Sequence, residues 1–190
     1  MNFQAAEDFI LSKLRRELSP KLTYHGVHHT LDVLSVAEHL CRTEKISLSN
    51  TTLLRTAALY HDSGFTVANA NHETFGCAIA RSALPNFGYS NADIEKICGM
   101  IMATKIPQTP LTRLEEILCD ADLDYLGRTD FYSIGETLYE ELCAFQVLDS
   151  RSDWNNLQIK FLQAHHFFTP TNQHLREPQK QLFLAELLQK

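Results

Sequence analysis

No stretch of the 190-residue sequence approaches the roughly 20 consecutive apolar residues of a membrane span, so no membrane partner is expected. Lysine and arginine form no cluster either. The 17 basic residues are scattered among 23 acidic ones for a formal net charge of −6, which argues against a broad basic face that grips a nucleic-acid duplex. A small anionic substrate stays compatible with this balance, because a bound cation reverses the local field. No CxxC pair occurs. Cys41, Cys77, Cys98, Cys119 and Cys143 are odd in number and widely spaced, the pattern of reduced core thiols in a cytoplasmic protein. Glu7 and Asp8 interrupt the first apolar pattern, and no basic stretch precedes it, so no secretory leader is expected. With no repeat, low-complexity tract or long linker, the chain reads as a single domain over residues 1–190.

Apolar residues recur instead at helical spacing, and no alternating strand pattern competes with them. The expected fold class is all-α. Phe3, Ala6, Ile10, Leu14 and Leu18 form a first stripe that ends at Ser19-Pro20, and a second helix runs from about Val27 to Cys41. A third begins after Ser49-Asn50 and ends in His61-Asp62. Later starts are marked by Asn71, Ser90 with Asp93, Thr112 with Glu115, and Asp130; Gly127 is a candidate C-cap. Two further helices, from about Asp153 to Phe168 and from about Pro178 to Leu188, pack on the rest. The expected bundle has about eight to nine helices.

Several polar residues share the apolar faces of these helices. His29 lies in line with Val33, Val36 and Leu40; His61 follows Leu54 and Ala57; His72 precedes Phe75, Gly76 and Ile79. Asp122 follows Leu114, Leu118 and Ala121, and His165 falls in line with Trp154, Leu157, Phe161 and Phe168. A single histidine on such a face is ordinarily a hydrogen-bonded core residue. Five inward titratable groups, joined by Asp62, call for a common partner, since an unpaired buried carboxylate costs several kcal/mol. A divalent cation held by imidazoles and carboxylates removes that cost.

The order His29, His61-Asp62, Asp122 on successive helices resembles the HD-domain superfamily of metal-dependent phosphohydrolases, an all-α fold, over about residues 24–128. CDADLDYLG, Cys119 to Gly127, is similar to the segment in which that family places its last metal aspartate. The resemblance selects Asp122, leaving Asp120 and Asp124 behind the ligands or on the surface. YHGVHHTLDV, Tyr24 to Val33, is also similar to the YHNxxHAxDV signature of cyclic-nucleotide phosphodiesterases, with Gly26 in place of the asparagine. By that likeness His29 is a ligand, His25 the acid that protonates the leaving oxygen, and His28 faces solvent. Where the family places later paired histidines this chain has IMATK. Lys105 lies in line with Ile94, Ile97, Cys98 and Ile101, where an ammonium would neutralise a substrate phosphate in place of a second cation. The tail QIKFLQAHHFFTPTNQHLREPQK resembles that of small HD hydrolases, with His165, Thr169 and Arg176 matching; it implies a segment broken at Pro170 that supplies Arg176 to phosphate.

The resemblance thus implies hydrolysis of a phosphate ester of a nucleotide or cyclic nucleotide at one divalent ion rather than two, held by His29, His61, Asp62 and Asp122. Manganese, iron, cobalt, nickel or zinc suits mixed nitrogen and oxygen donors, with magnesium also compatible. Asp62 would accept the proton of the attacking water, His25 or His72 would protonate the leaving group, and Lys105, His165 and Arg176 would bind substrate. A non-catalytic HD-type metal or nucleotide sensor is the alternative of another class. A di-iron HD oxygenase would need more histidines than this chain offers, and assembly into a homo-oligomer is compatible with the sequence.

Overall fold

Side chains cap four of the first six α-helices, whereas Gly26 before the second and, against expectation, Asn71 before the fourth make no side-chain cap hydrogen bond. In the computed structural model, which describes residues 1–189, α1 (Phe3–Glu17) begins at Asn2, whose side chain accepts from the Ala5 amide. After Gly26 comes α2 (Val27–Thr43). The next helix, α3 (Leu48–Tyr60), starts earlier than expected because the Ser47 hydroxyl, rather than Ser49-Asn50, takes the cap by accepting from the Asn50 amide. A 3₁₀ turn, Ser63–Thr66, separates it from α4 (His72–Ala83). Ser90 and Asp93 cap α5 (Asn91–Ala103) reciprocally, and Thr112 and Glu115 do the same for α6 (Arg113–Asp122).

These helices belong to one packing unit, made of Met1–Ser19 and His25–Asp122, and α3 is its axis. From Leu53 to Tyr60 every α3 residue except Arg55 is buried, with α1, α2, α5 and α6 packed around it. A helix covered on all sides leaves no wet face for its polar groups. Thr56 is satisfied by the Thr52 carbonyl and the Tyr89 hydroxyl, and the Tyr60 hydroxyl donates to the Ala6 carbonyl. The burial runs straight on into His61 and Asp62, which are 1% and 5% exposed. All five cysteines are free thiols and four are buried; those of Cys77 and Cys98 each donate to the other's carbonyl across α4 and α5.

A second unit comprises Pro20–Tyr24 and the described residues from Leu123 onward, with its own apolar cluster around Phe131, Leu162, Phe167 and Phe183. It holds the 3₁₀ turn Asp124–Gly127, α7 (Phe131–Ala144), α8 (Arg151–Ala164), α9 (Pro170–Leu175) and α10 (Glu177–Leu187). Two expectations are corrected here and one left open is narrowed. The α8 helix stops at Ala164 rather than Phe168, so His165 stands in extended backbone beyond it. Pro170 opens a helix instead of only breaking one, because it occupies the first turn behind the Thr169 cap, where no amide is needed. Of the two places left open for Asp124, the surface is excluded: its carboxylate is 2% exposed and accepts from Arg176 and Asn172.

The all-α expectation holds, with ten α-helices and no strand among the described residues; the count rises because the tail divides into α9 and α10. No described helix is long and apolar enough to cross a membrane. Leu54 is fully buried on α3, so Leu54→Ala is expected to destabilise the protein by about 2–5 kcal/mol in urea unfolding, the range for a core leucine truncated beside rigid neighbours.

Candidate metal centre

Three helix ends and one turn bring the polar groups of the first unit together. His29 comes from the first turn of α2 and Asp122 is the last residue of α6. His61 caps α3, and Asp62 opens the 3₁₀ turn that follows. His29 Nε2 lies 3.1 Å from Asp122 Oδ1 and 3.5 Å from Asp62 Oδ2. His61 Nε2 lies 3.1 Å from Asp62 Oδ2 and 3.4 Å from Asp122 Oδ1. Donor atoms of His29, His61 and Asp122 all fall within 4.8 Å of one another. Spacings of this size are edges of a coordination polyhedron with bonds of about 2.0–2.2 Å.

The chemistry of His61 decides what fits there. Its Nδ1 donates to the Ala58 carbonyl at 2.8 Å, which leaves Nε2 presenting a lone pair to two carboxylates unless a second proton is added. Both His61 Nε2 and Asp62 Oδ2 are buried without a hydrogen bond. Burial opposes charge on His61, yet Asp62 and Asp122 outweigh it and hold the imidazole pKa well above its ordinary value. Burial also opposes ionisation of Asp62, but His61, His72 and His25 hold that carboxyl well below the usual range. Asp122, against the same burial, is pushed down to about 2 by His29 and His61. His29 and Asp122 meet at hydrogen-bond distance, 3.1 Å, whereas His61 Nε2 and Asp62 Oδ2 face each other in the same buried space without a hydrogen bond. A divalent cation fits it.

The α4 helix adds a fifth group. Gly64 and Gly76 let the turn and the helix meet backbone to backbone: a Cβ on Gly64 would overlap the His72 carbonyl oxygen, and one on Gly76 would press to 3.1 Å from that of Tyr60. That approach sets His72 Nε2 3.4 Å from Asp62 Oδ1 and 3.6 Å from the buried Glu73, while Nδ1 faces the Asn69 carbonyl at 3.2 Å. Burial disfavours a charged His72, but Asp62 and Glu73 raise its pKa. His25 precedes α2, and its ring centroid is 6.2 Å from that of His72 and 6.0 Å from that of His29.

Lys105 departs from its expected place. The α5 helix ends at Ala103, the Thr104 hydroxyl turns back to the Ile101 carbonyl, and Thr104 is buried while Lys105 is exposed. Its Nζ donates to Asn71 Oδ1 at 3.2 Å, against the residue that opens α4. His28 is exposed, as expected, and Asp120 is fully buried, which excludes the surface of the two places left open for it. His165 and Arg176 belong to the second unit, where His165 Nδ1 meets Lys180 Nζ at 3.3 Å and Arg176 Nε donates to Asp124 at 2.8 Å. Glu73 and Phe65 were not anticipated. Glu73 had a signal in its position beside His72, whereas a phenylalanine after Gly64 reads as core.

Residues 26–124, just over half of the chain, match the family model of the HD domain. The chain belongs to the HD domain family. The matched HD segment runs from the residue before α2 to the turn after α6 and contains His29, His61, Asp62, His72 and Asp122; His25 stands one residue before it. A crystal structure of a predicted HD superfamily hydrolase from an uncultured Thermotogales bacterium is similar, with TM-score 0.64 and 21% identity, over 96% of this chain and 88% of that one. At that identity the likeness shows the HD fold. No curated protein sequence matches this HD chain.

Because His61 must give up its second proton to bind a cation, metal affinity should fall as pH falls. The elevated pKa of His61 extends this competition upward from the ordinary imidazole range. Calorimetric titration of the metal-stripped protein with zinc is expected to show binding at pH 8 tighter than at pH 6 by about tenfold or more, with proton release. Equal affinities at the two values would contradict the histidine ligation.

Proposed function

We propose that this HD domain hydrolyses a phosphate ester, with His29, His61, Asp62 and Asp122 holding one divalent cation. The observation that carries the reading is the buried His61 Nε2, its tautomer set by Ala58 and its lone pair aimed between two carboxylates. Manganese, iron(II), cobalt, nickel or zinc suits this donor set. Bound there, the cation supplies Lewis acidity, which lowers the pKa of a water and balances charge on a phosphoryl oxygen.

The side chains divide the proton work. Asp62 sits between the two imidazoles and His72, and is the group that receives the proton of the attacking water. His72, whose Nε2 lies 3.4 Å from Asp62 Oδ1, and His25, its ring 6.2 Å from that of His72, supply the proton that the leaving oxygen needs. His72 at the start of α4 and Lys105 against Asn71 put positive charge and helix amides there, which favours an anionic ligand. A nucleotide is the substrate class we propose.

Asp62→Asn removes a charge the cation needs, so it should lower metal occupancy and cut kcat by about 10³ or more, roughly 4 kcal/mol of transition-state stabilisation. His25→Ala should keep the metal and lose about 10² to 10⁴ in rate, with a smaller loss on aryl phosphates, whose leaving oxygen needs little protonation. Elemental analysis and a panel of phosphate mono- and diesters with added manganese check both. Metal loss in the His25 variant would make His25 a ligand; a metal-loaded wild type inert on every ester would favour a sensor over an enzyme.

A further inference from the structure

Two ties fix how α4 and α5 face each other across the 3₁₀ turn Leu84–Phe87. The first is polar: Arg81 Nε and Nη2 donate to the two carboxylate oxygens of Glu95, each at 2.8 Å. The second, about one helical turn further from the loop, is made by sulfur. Cys77 Sγ donates to the Cys98 carbonyl at 3.5 Å, and Cys98 Sγ donates to the Cys77 carbonyl at 3.7 Å. The partners run in opposite chain directions, so the two helices are antiparallel. A reciprocal pair also requires each thiol to reach the other's backbone, which places the two residues opposite each other. The sulfurs are near enough for one thiol to donate to the other in place of a carbonyl.

The remaining cysteines differ. Cys119, also buried, spends its thiol on the Ala103 carbonyl at 3.2 Å, and Cys143 is only half-buried. Within the facing pair the two sulfurs are unequal. The Cys77 thiol, with help from Arg81, lowers the Cys98 pKa against the burial that opposes it, whereas Cys98 and burial together raise that of Cys77. Cys98 is thus the better nucleophile and Cys77 the thiol that waits beside it. Both residues are 2% exposed, which keeps bulky disulfides away and leaves local opening of the hairpin as the route for an oxidant of about the size of water.

We propose that Cys77 and Cys98 are a peroxide-sensitive dithiol that closes to a disulfide between α4 and α5. The Cys98 thiolate attacks one oxygen of hydrogen peroxide, the O–O bond breaks, and the departing hydroxide takes a proton to leave as water. The Cys77 sulfur then attacks the Cys98 sulfenic sulfur; the S–S bond forms as the S–O bond breaks, and the Cys77 proton leaves with the hydroxyl as a second water. Two thiols lose two electrons, and one peroxide becomes two waters. Neither cysteine belongs to the metal centre, so this reaction is separate from ester hydrolysis.

The reduced 190-residue chain, treated with one equivalent of hydrogen peroxide, is followed by intact mass and by tryptic mapping without reductant. The mass should fall by two hydrogens and recover with dithiothreitol, and the peptide ending at Arg81 should be found joined to the one beginning at Ile97. With dimedone present, Cys77→Ala should trap a sulfenic acid on Cys98, and Cys98→Ala should trap none on Cys77. Should either variant fold poorly, the wild-type map decides alone. Closing the loop between residues 77 and 98 restricts the unfolded chain, so the oxidised wild type should unfold at a higher urea concentration than the reduced one. An unchanged mass, a disulfide mapped to other cysteines, or a Cys98 sulfenic acid that persists beside a Cys77 thiol would overturn the proposal. A lower urea midpoint on oxidation would do the same, because it would mean that the bond distorts the hairpin instead of joining groups already opposed.

Discussion

The hydrogen bond from His61 Nδ1 to the Ala58 carbonyl is the constraint on which the site depends. It sits at the buried end of α3, where His61 is 1% exposed. By consuming one ring nitrogen it commits the other to facing Asp62 and Asp122, and a neutral imidazole there has nothing to donate. The cost of burying His61 and Asp62 side by side is thus met by a cation, or by a second proton on the imidazole. The fold supplies the remaining donors from a separate helix start, His29, and a separate helix end, Asp122. A cation held by the proposed ligands would tie α2, the α3 terminus and α6 together.

The second layer of the design is steric. Glycine at positions 64 and 76 allows α4 to lie on the turn after Asp62, and this contact carries His72 to the face of the carboxylate not used by His61. One short turn consequently positions Asp62, the ligand proposed above, and the phenyl of Phe65 on which two further imidazoles rest. A small shift of that turn would move the ligand and the neighbouring histidines together.

Helical periodicity made the all-α fold legible, and the inward phase of His29, His61 and Asp122 made their convergence legible, because a group in phase with core leucines must find a partner inside. Phase arguments fail where a helix ends early. Lys105 is in step with Ile94, Ile97 and Ile101, but α5 stops at Ala103, and the Thr104 hydroxyl bond to Ile101 turns the chain so that the lysine faces solvent. His165 was assigned by the same logic to a helix that ends one residue before it. The sequence leaves Asp124 open between a place behind the ligands and the surface because its partners, Asn172 and Arg176, are about 50 residues away in sequence. Phe65 carried no signal, since an aromatic residue next to a buried turn is indistinguishable from core until its neighbours are seen.

The central claim is that His61 Nε2 is a metal donor. Crystals grown with manganese, measured near the manganese absorption edge, test it most directly. The account predicts an anomalous peak within bonding distance of His29 Nε2, His61 Nε2 and carboxylate oxygens of Asp62 and Asp122. A fully loaded crystal with its peak elsewhere, or with His61 Nε2 hydrogen-bonded to Asp62 and no ion between them, would contradict it.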